Sequence, residues 1–203
     1  ETLEKTAVGV ETTIQTWDDD LLIFANLIAD NTELADALAS KDSNAVKHVA
    51  ERINDKVDLD FMALTDASGT VLPGGGFGIA SGTNLSSASA VKSALRGKPL
   101  SAIDGIADIP YAMFAAAPVY KDGALAGVIV TGYDFAADTE EGDSLQSVVQ
   151  DSYGVEFTIF KDNIRVATTI KAENGKKLFE EVGCAKCHPA PLYTDLQKHK
   201  SPY

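Results

Sequence analysis

Apolar residues recur at alternating spacings of three and four along the first thirty positions: Ala7, Val10, Ile14, Trp17, Leu21, Phe24 and Ile28. That spacing gathers them on one stripe of a helix and predicts a long helix over residues 1–30. The stripe suits a coiled-coil seam to a second copy or a helix laid along its own domain, because three heptads satisfy both. Asp18, Asp19 and Asp20 put a block of like charge on the other face. Two shorter helices are predicted over 32–39 and 44–53, with Asn31 and Ser43 as N-caps. On the second, Val46, Val49 and Ile53 form the inward face, and at about 100° of turn per residue His48 points to water.

After residue 58 the period shortens. Residues 61–65 read as an apolar strand, 66–69 as a turn and 70–72 as the returning strand. Residues 73–78 read as a glycine-rich loop; no Lys-Ser/Thr pair follows, so a phosphate cradle is not indicated. A helix over 87–96 closes at Gly97. The clearest hairpin joins 113–120 to 124–133 through Asp122-Gly123. A helix over 144–152 follows, then a hairpin of 155–160 with 164–169. Helices first, then antiparallel strands with a helix between them, make an α+β plan.

The chain has 203 residues, of which 45% are apolar, enough for one main core. Its formal net charge of −13 repels phosphate backbones, and no Lys/Arg stripe interrupts the acidic surface. Nucleic acid is therefore not an expected partner. The charge is uneven: residues 1–170 hold 11 Lys and Arg against 26 Asp and Glu, whereas 171–203 hold 6 against 4. No apolar run reads as a bilayer span, and with neither initiator Met nor signal peptide the chain reads as processed or excised from a parent that is membrane-anchored.

Two cysteines occur, Cys184 and Cys187, followed directly by His188. Cys-x-x-Cys-His is the spacing of c-type haem attachment, in which two thiols add to the haem vinyls and the histidine takes the proximal side of the iron. A redox Cys-x-x-Cys needs no histidine, and a zinc site would need His199 as its fourth ligand; a disulfide and zinc remain the alternatives. His199 is also the candidate distal iron ligand. Met62 and Met113 lie in apolar strand runs, where packing is their natural role. An open distal position would suit redox or diatomic-gas sensing, and an occupied one electron transfer to a redox partner.

Several segments in order resemble the Cache domains of bacterial chemoreceptors and sensor kinases, extracytoplasmic relatives of the PAS fold. They are Asp60-Phe-Met-Ala-Leu-Thr-Asp66-Ala-Ser-Gly69, Ala116-Ala-Pro118 through Gly123, Gly127-Val-Ile-Val-Thr-Gly132-Tyr133-Asp134, and Tyr153 through Thr169. The resemblance covers residues 1–172 and implies a PAS-like antiparallel sheet of about five strands, behind a long N-terminal helix, in the periplasm or outside the cell. Residues 173–203 form a separate segment, a short haem-binding helix and coil. Its stretch Gly175-Lys-Lys-Leu-Phe through Cys184-Ala-Lys-Cys-His188-Pro-Ala-Pro-Leu-Tyr193 is similar to the haem segment of dihaem cytochrome c peroxidases and their relatives.

Cache domains hold small metabolites in the concavity of the sheet. That implies a site built from Tyr111, Met113, Phe114, Tyr133 and Asp134, with Asp134 holding a ligand amine; Met113 and Phe114 suit plain core equally well. No histidine is left for nucleophilic chemistry, since His48 points to water, His188 belongs to haem and His199 lies in the tail. The sequence is therefore read as a sensory or binding protein, and not as an enzyme. The expected function is an extracytoplasmic sensor carrying one haem c. A haem c electron carrier and a metabolite sensor without haem are the alternatives.

Overall fold

The computed structural model describes residues 2–57, 59–135, 144–161 and 164–169. Helix α1 (Thr2–Ala29) realises the first stripe. Leu21 is fully buried, and Val10, Ile14, Trp17 and Ile28 pack on the same core. Ala25 and Ala29 complete the buried line, whereas Ala7 is exposed and Phe24 is 40% exposed. Phe24 sits about 60° around the helix from Leu21, far enough to leave the contact. Of the two roles the stripe suits, the helix laid along its own domain is the one most of these residues take. Ile23, Phe24 and Leu27 remain as apolar surface on one flank.

Helices α2 (Thr32–Ser40) and α3 (Ser43–Asn54) follow. Asn31 caps α2 as expected, its side chain accepting from the backbone of Glu33 and Leu34. The cap of α3 is Asp42 rather than Ser43, one residue earlier. His48 is exposed.

Strands β1 (Phe61–Asp66), β2 (Val71–Phe77), β3 (Leu100–Ile106), β4 (Ile109–Lys121) and β5 (Ala124–Asp134) form one antiparallel sheet in the order β2-β1-β5-β4-β3. Asp122 and Gly123 both have positive φ, the conformation of the type I′ turn that joins β4 to β5. Helix α4 (Ser89–Ala94) covers one face and is shorter than the span of 87–96 expected. Residues 73–77, expected in a loop, are strand. Their glycines carry no side chains, so α3 lies directly on β2: a Cβ built on Gly74 would stand 2.8 Å from Cβ of Lys47. Strand β3, for which the sequence carried no expectation, pairs along β4 from Leu100↔Ala116 to Ile106↔Ile109. Beyond the sheet come α5 (Leu145–Tyr153) and a separate hairpin of β6 (Thr158–Lys161) and β7 (Ile164–Thr168).

Alternation along the strands sorts the interior into two cores. Met62, Leu64, Met113, Ala115 and Ile129 face α1 to α3. Phe61, Ala63, Ala112, Phe114, Ala116, Val128 and Val130 face α4. Thr131 is wholly buried, its register neighbours are Met62 and Ala115 of the first core, and among the described residues its Oγ1 has no hydrogen-bond partner. A buried hydroxyl without a partner costs free energy that an isosteric methyl does not. Thr131→Val is therefore expected to raise stability by about 1 kcal/mol, read as a higher urea midpoint; a lower one would show that the hydroxyl is satisfied.

Candidate functional site

The five residues expected to line one concavity divide between the two faces. Met113 is fully buried in the first core, and Tyr111 and Tyr133 pack against that core. Tyr133 lies 5.2 Å from Trp17 of α1, and Tyr111 lies 5.7 Å from Phe135, centroid to centroid. Phe114 is buried in the second core, under α4. Asp134 pairs with Ala112, whose side chain belongs to that same face, so Asp134 shares the face of Phe114 and not that of Tyr133. The resemblance to Cache domains implies all five for one site, with plain core as the equal role for Met113 and Phe114. A pleated strand turns each successive side chain to the opposite face.

The α4 face is floored by small residues, Ala63, Ala112, Ala116 and Gly132, and filled by Phe61 and Phe114. Gly132 stands between these two aromatics in register, and a Cβ built on it would meet the Phe61 ring at 2.1 Å. Past this plug the strands end in two acids. The carboxylate of Asp60, just before β1, accepts a hydrogen bond of 2.8 Å from the backbone N–H of Asp134. Asp60 is exposed and Asp134 half-buried. The Asp60 carboxylate is thereby held on the backbone at the end of β5, beside the residue that carries the second acid; carboxylates at the edge of a sheet suit an ammonium group. Asp60 was not singled out from the sequence, since nothing local ties it to a residue on the far side of the sheet.

On the other face Lys161 was missed for the same reason. Its Nζ lies 2.8 Å from Asp104 Oδ1 and 5.4 Å from the centroid of the Tyr111 ring. The Lys161 hydrogen bond is the largest of the causes that hold the Asp104 carboxyl below the usual carboxylate range.

A groove of about 440 Å³ opens at the opposite end of the sheet, where the end of α2 meets the β1–β2 and β4–β5 turns; Leu38, Lys41, Lys121 and Leu125 line it. Asp66 at its edge accepts from Ser68 and Thr70. Desolvation raises the pKa of that carboxyl, and these bonds together with Lys41 outweigh it, leaving the net shift downward. Among the described residues no group of three or more His, Cys, Asp or Glu is gathered as for a metal ion. Cys184, Cys187, His188 and His199, with the whole segment 173–203, lie outside the described residues.

A five-stranded antiparallel sheet behind a long helix, with α4 covering one face, is the α+β architecture of the Cache class. A family model, dCache_3, described as the double sensory domain of two-component sensor kinase, matches residues 1–199, and the chain belongs to this family. The match runs through most of the segment that carries the cysteines.

No curated protein matches the chain. Among solved structures it is similar to the sensor domain of the Vibrio cholerae histidine kinase DctB, at 13% identity and a TM-score of 0.62 over 87% of this chain and 73% of that one. The ligand-binding domain of the Campylobacter jejuni chemoreceptor Tlp3, solved with L-norvaline, is 15% identical over 84% of this chain and 69% of that one, with a TM-score of 0.59. The ligand-binding domain of the Pseudomonas aeruginosa amino acid chemoreceptor PctC, solved with GABA, is 17% identical over 93% and 82%, with a TM-score of 0.55. Likeness at these identities establishes the fold. The chain is a sensory domain of this family.

Proposed function

We propose that this sensor domain recognises a small metabolite by its amine, at the mouth of the α4 face between Asp60 and Asp134. The observation that carries the reading is the Asp60 carboxylate held on the backbone N–H of Asp134, 74 residues away in sequence, at the end of the sheet whose α4 face is apolar. A carboxylate at the edge of low-dielectric surface favours an ammonium partner more than one in open water does. The Tlp3 and PctC domains, of the same fold, were solved with L-norvaline and with GABA, both amines. Metabolite sensing of this kind needs no haem.

A ligand that binds only the folded state stabilises it by mass action. L-norvaline, L-isoleucine or GABA at a hundredfold excess over Kd is expected to raise the melting temperature by roughly 5–10 °C. Asp134→Asn should abolish most of that rise while leaving the melting temperature of the unliganded protein close to the parent's. A broad panel of amines without any shift, or a shift untouched by Asp134→Asn, would refute the assignment.

A second reading rests on Cys184-Ala-Lys-Cys187-His188 alone. We propose that this segment takes one haem c, with both thiols in thioether bonds, His188 as the proximal ligand and His199 as the candidate distal one. The group would add redox or gas sensing to the domain, or electron transfer to a redox partner. Chain exported alongside c-type maturation machinery should give the pyridine haemochrome spectrum of covalent haem c. A product that is colourless, or that carries zinc, sinks the idea. If the spectrum appears, an unchanged one in His199→Ala excludes His199 from the iron.

A further inference from the structure

We propose that Lys161 is a positioning residue that couples the Asp134 end of the five-stranded sheet to the hairpin that follows it. The chain belongs to a double sensory family, and β6–β7 stands apart from the five-stranded sheet, downstream of it. Lys161 closes β6 and reaches back 57 residues to the β3–β4 hairpin. Its ammonium donates to Asp104 Oδ1 at 2.8 Å and to the carbonyl of Pro110 at 3.3 Å, and it stands 5.4 Å from the centre of the Tyr111 ring. One cation thus holds a carboxylate, a carbonyl and an aromatic face at once.

From Tyr111 the contacts lead straight to the proposed site. The Tyr111 ring packs on Phe135, and the Tyr111 carbonyl accepts from the Phe135 backbone N–H at 3.1 Å. Phe135 is the residue after Asp134, and its own carbonyl accepts from Gln146 of α5 at 3.0 Å. A shift at the end of β5 therefore reaches the hairpin by a polar route through Tyr111 and Lys161, beside the apolar contact that Ile159 of β6 makes with the same core. An isolated surface ion pair would transmit little. Here the ammonium is partly shielded, with 34% of the side chain exposed, and the added carbonyl and ring contacts fix its direction as well as its distance. Such a contact orients the hairpin and is still weak enough for a binding event to release it.

The proposal rests on the sensor reading and on the place of the site, but not on the ligand's being an amine. Its test is hydrogen exchange on the full chain without ligand. In Lys161→Met the amides of β6 and β7 are expected to exchange about tenfold faster, while those of β1 and the middle of β4 keep the parent rate. Lys161→Arg, which keeps the charge and the stacking surface, should stay near the parent, and Asp104→Asn should reproduce Lys161→Met. Phe135→Leu, which disturbs the site end, should alter hairpin exchange in the parent and leave it unaltered in the Lys161→Met background.

Equal hairpin protection in parent and Lys161→Met would overturn the proposal. So would acceleration spread evenly over β1 and β4, since that reports domain stability, or a Phe135→Leu effect that persists without Lys161. Because no ligand enters, failure here leaves amine recognition standing, and an absent thermal shift with amines leaves the coupling standing.

Discussion

Phe114→Ala is expected to destabilise the domain by about 3–5 kcal/mol, the usual cost of emptying a buried aromatic site. Phe114 has no exposed surface and stands with Phe61, Ala112, Ala116 and Val130 in the core under α4. Its neighbours on the sheet are already small, and Ala116 and Gly132 cannot swing into the space left behind, so a cavity would remain. In a domain of this size the melting temperature should fall by roughly 10 °C. The alternative role, a wall of an open ligand pocket, predicts something else: most of the ring would already touch solvent and its loss would be felt mainly in binding. A fall in stability below about 1 kcal/mol would return Phe114 to the pocket.

Gly127→Ala should cost about 3 kcal/mol by a different mechanism, overpacking against backbone. Gly127 pairs with Asp66 of β1 and with Val119 of β4 inside the sheet. A Cβ built there would stand 2.0 Å from the carbonyl oxygen of Thr65. A side chain could rotate away from such a contact. A carbonyl in a ladder cannot move without loosening the β1–β5 pairing, on which the joining of Asp60 to Asp134 depends. Urea unfolding should show a lower midpoint, and hydrogen exchange should show the loss concentrated in β1 and β5. Gly132→Ala tests the contrast, since its clash is with the Phe61 side chain rather than with backbone. A Gly127→Ala protein as stable as the parent would mean that the two strands stand further apart than the register implies.

The local elements were legible in the sequence because their causes are local. A spacing of three and four writes α1 into residues 7–28; Asn31 announces the start of α2; Asp122-Gly123 states the turn between β4 and β5, with both residues at positive φ. The order of the strand motifs carried the resemblance to Cache domains that implied an α+β sensor, and the family match agrees. The long helix, β1, the β4–β5 hairpin and the antiparallel plan follow from patterns a few residues wide, whereas β3 and most of β2 do not.

What the tertiary structure alone decided is which of these residues meet. The α1 stripe suited a second copy as well as it suited the chain's own sheet, and only the tertiary structure packs it on the core that holds Met113 and Met62. Residues 73–77, three of them glycine, carry too little side chain to read as a strand, and become one by pairing with β1 while α3 lies close on their glycines. Tyr133 and Asp134 are adjacent in sequence yet serve opposite faces, while Asp60 and Asp134, or Lys161 and Asp104, are remote in sequence yet share a hydrogen bond or an ion pair. Register between strands sets those meetings, and register is a property of the closed sheet: it depends on every pairing at once and is written in no single segment.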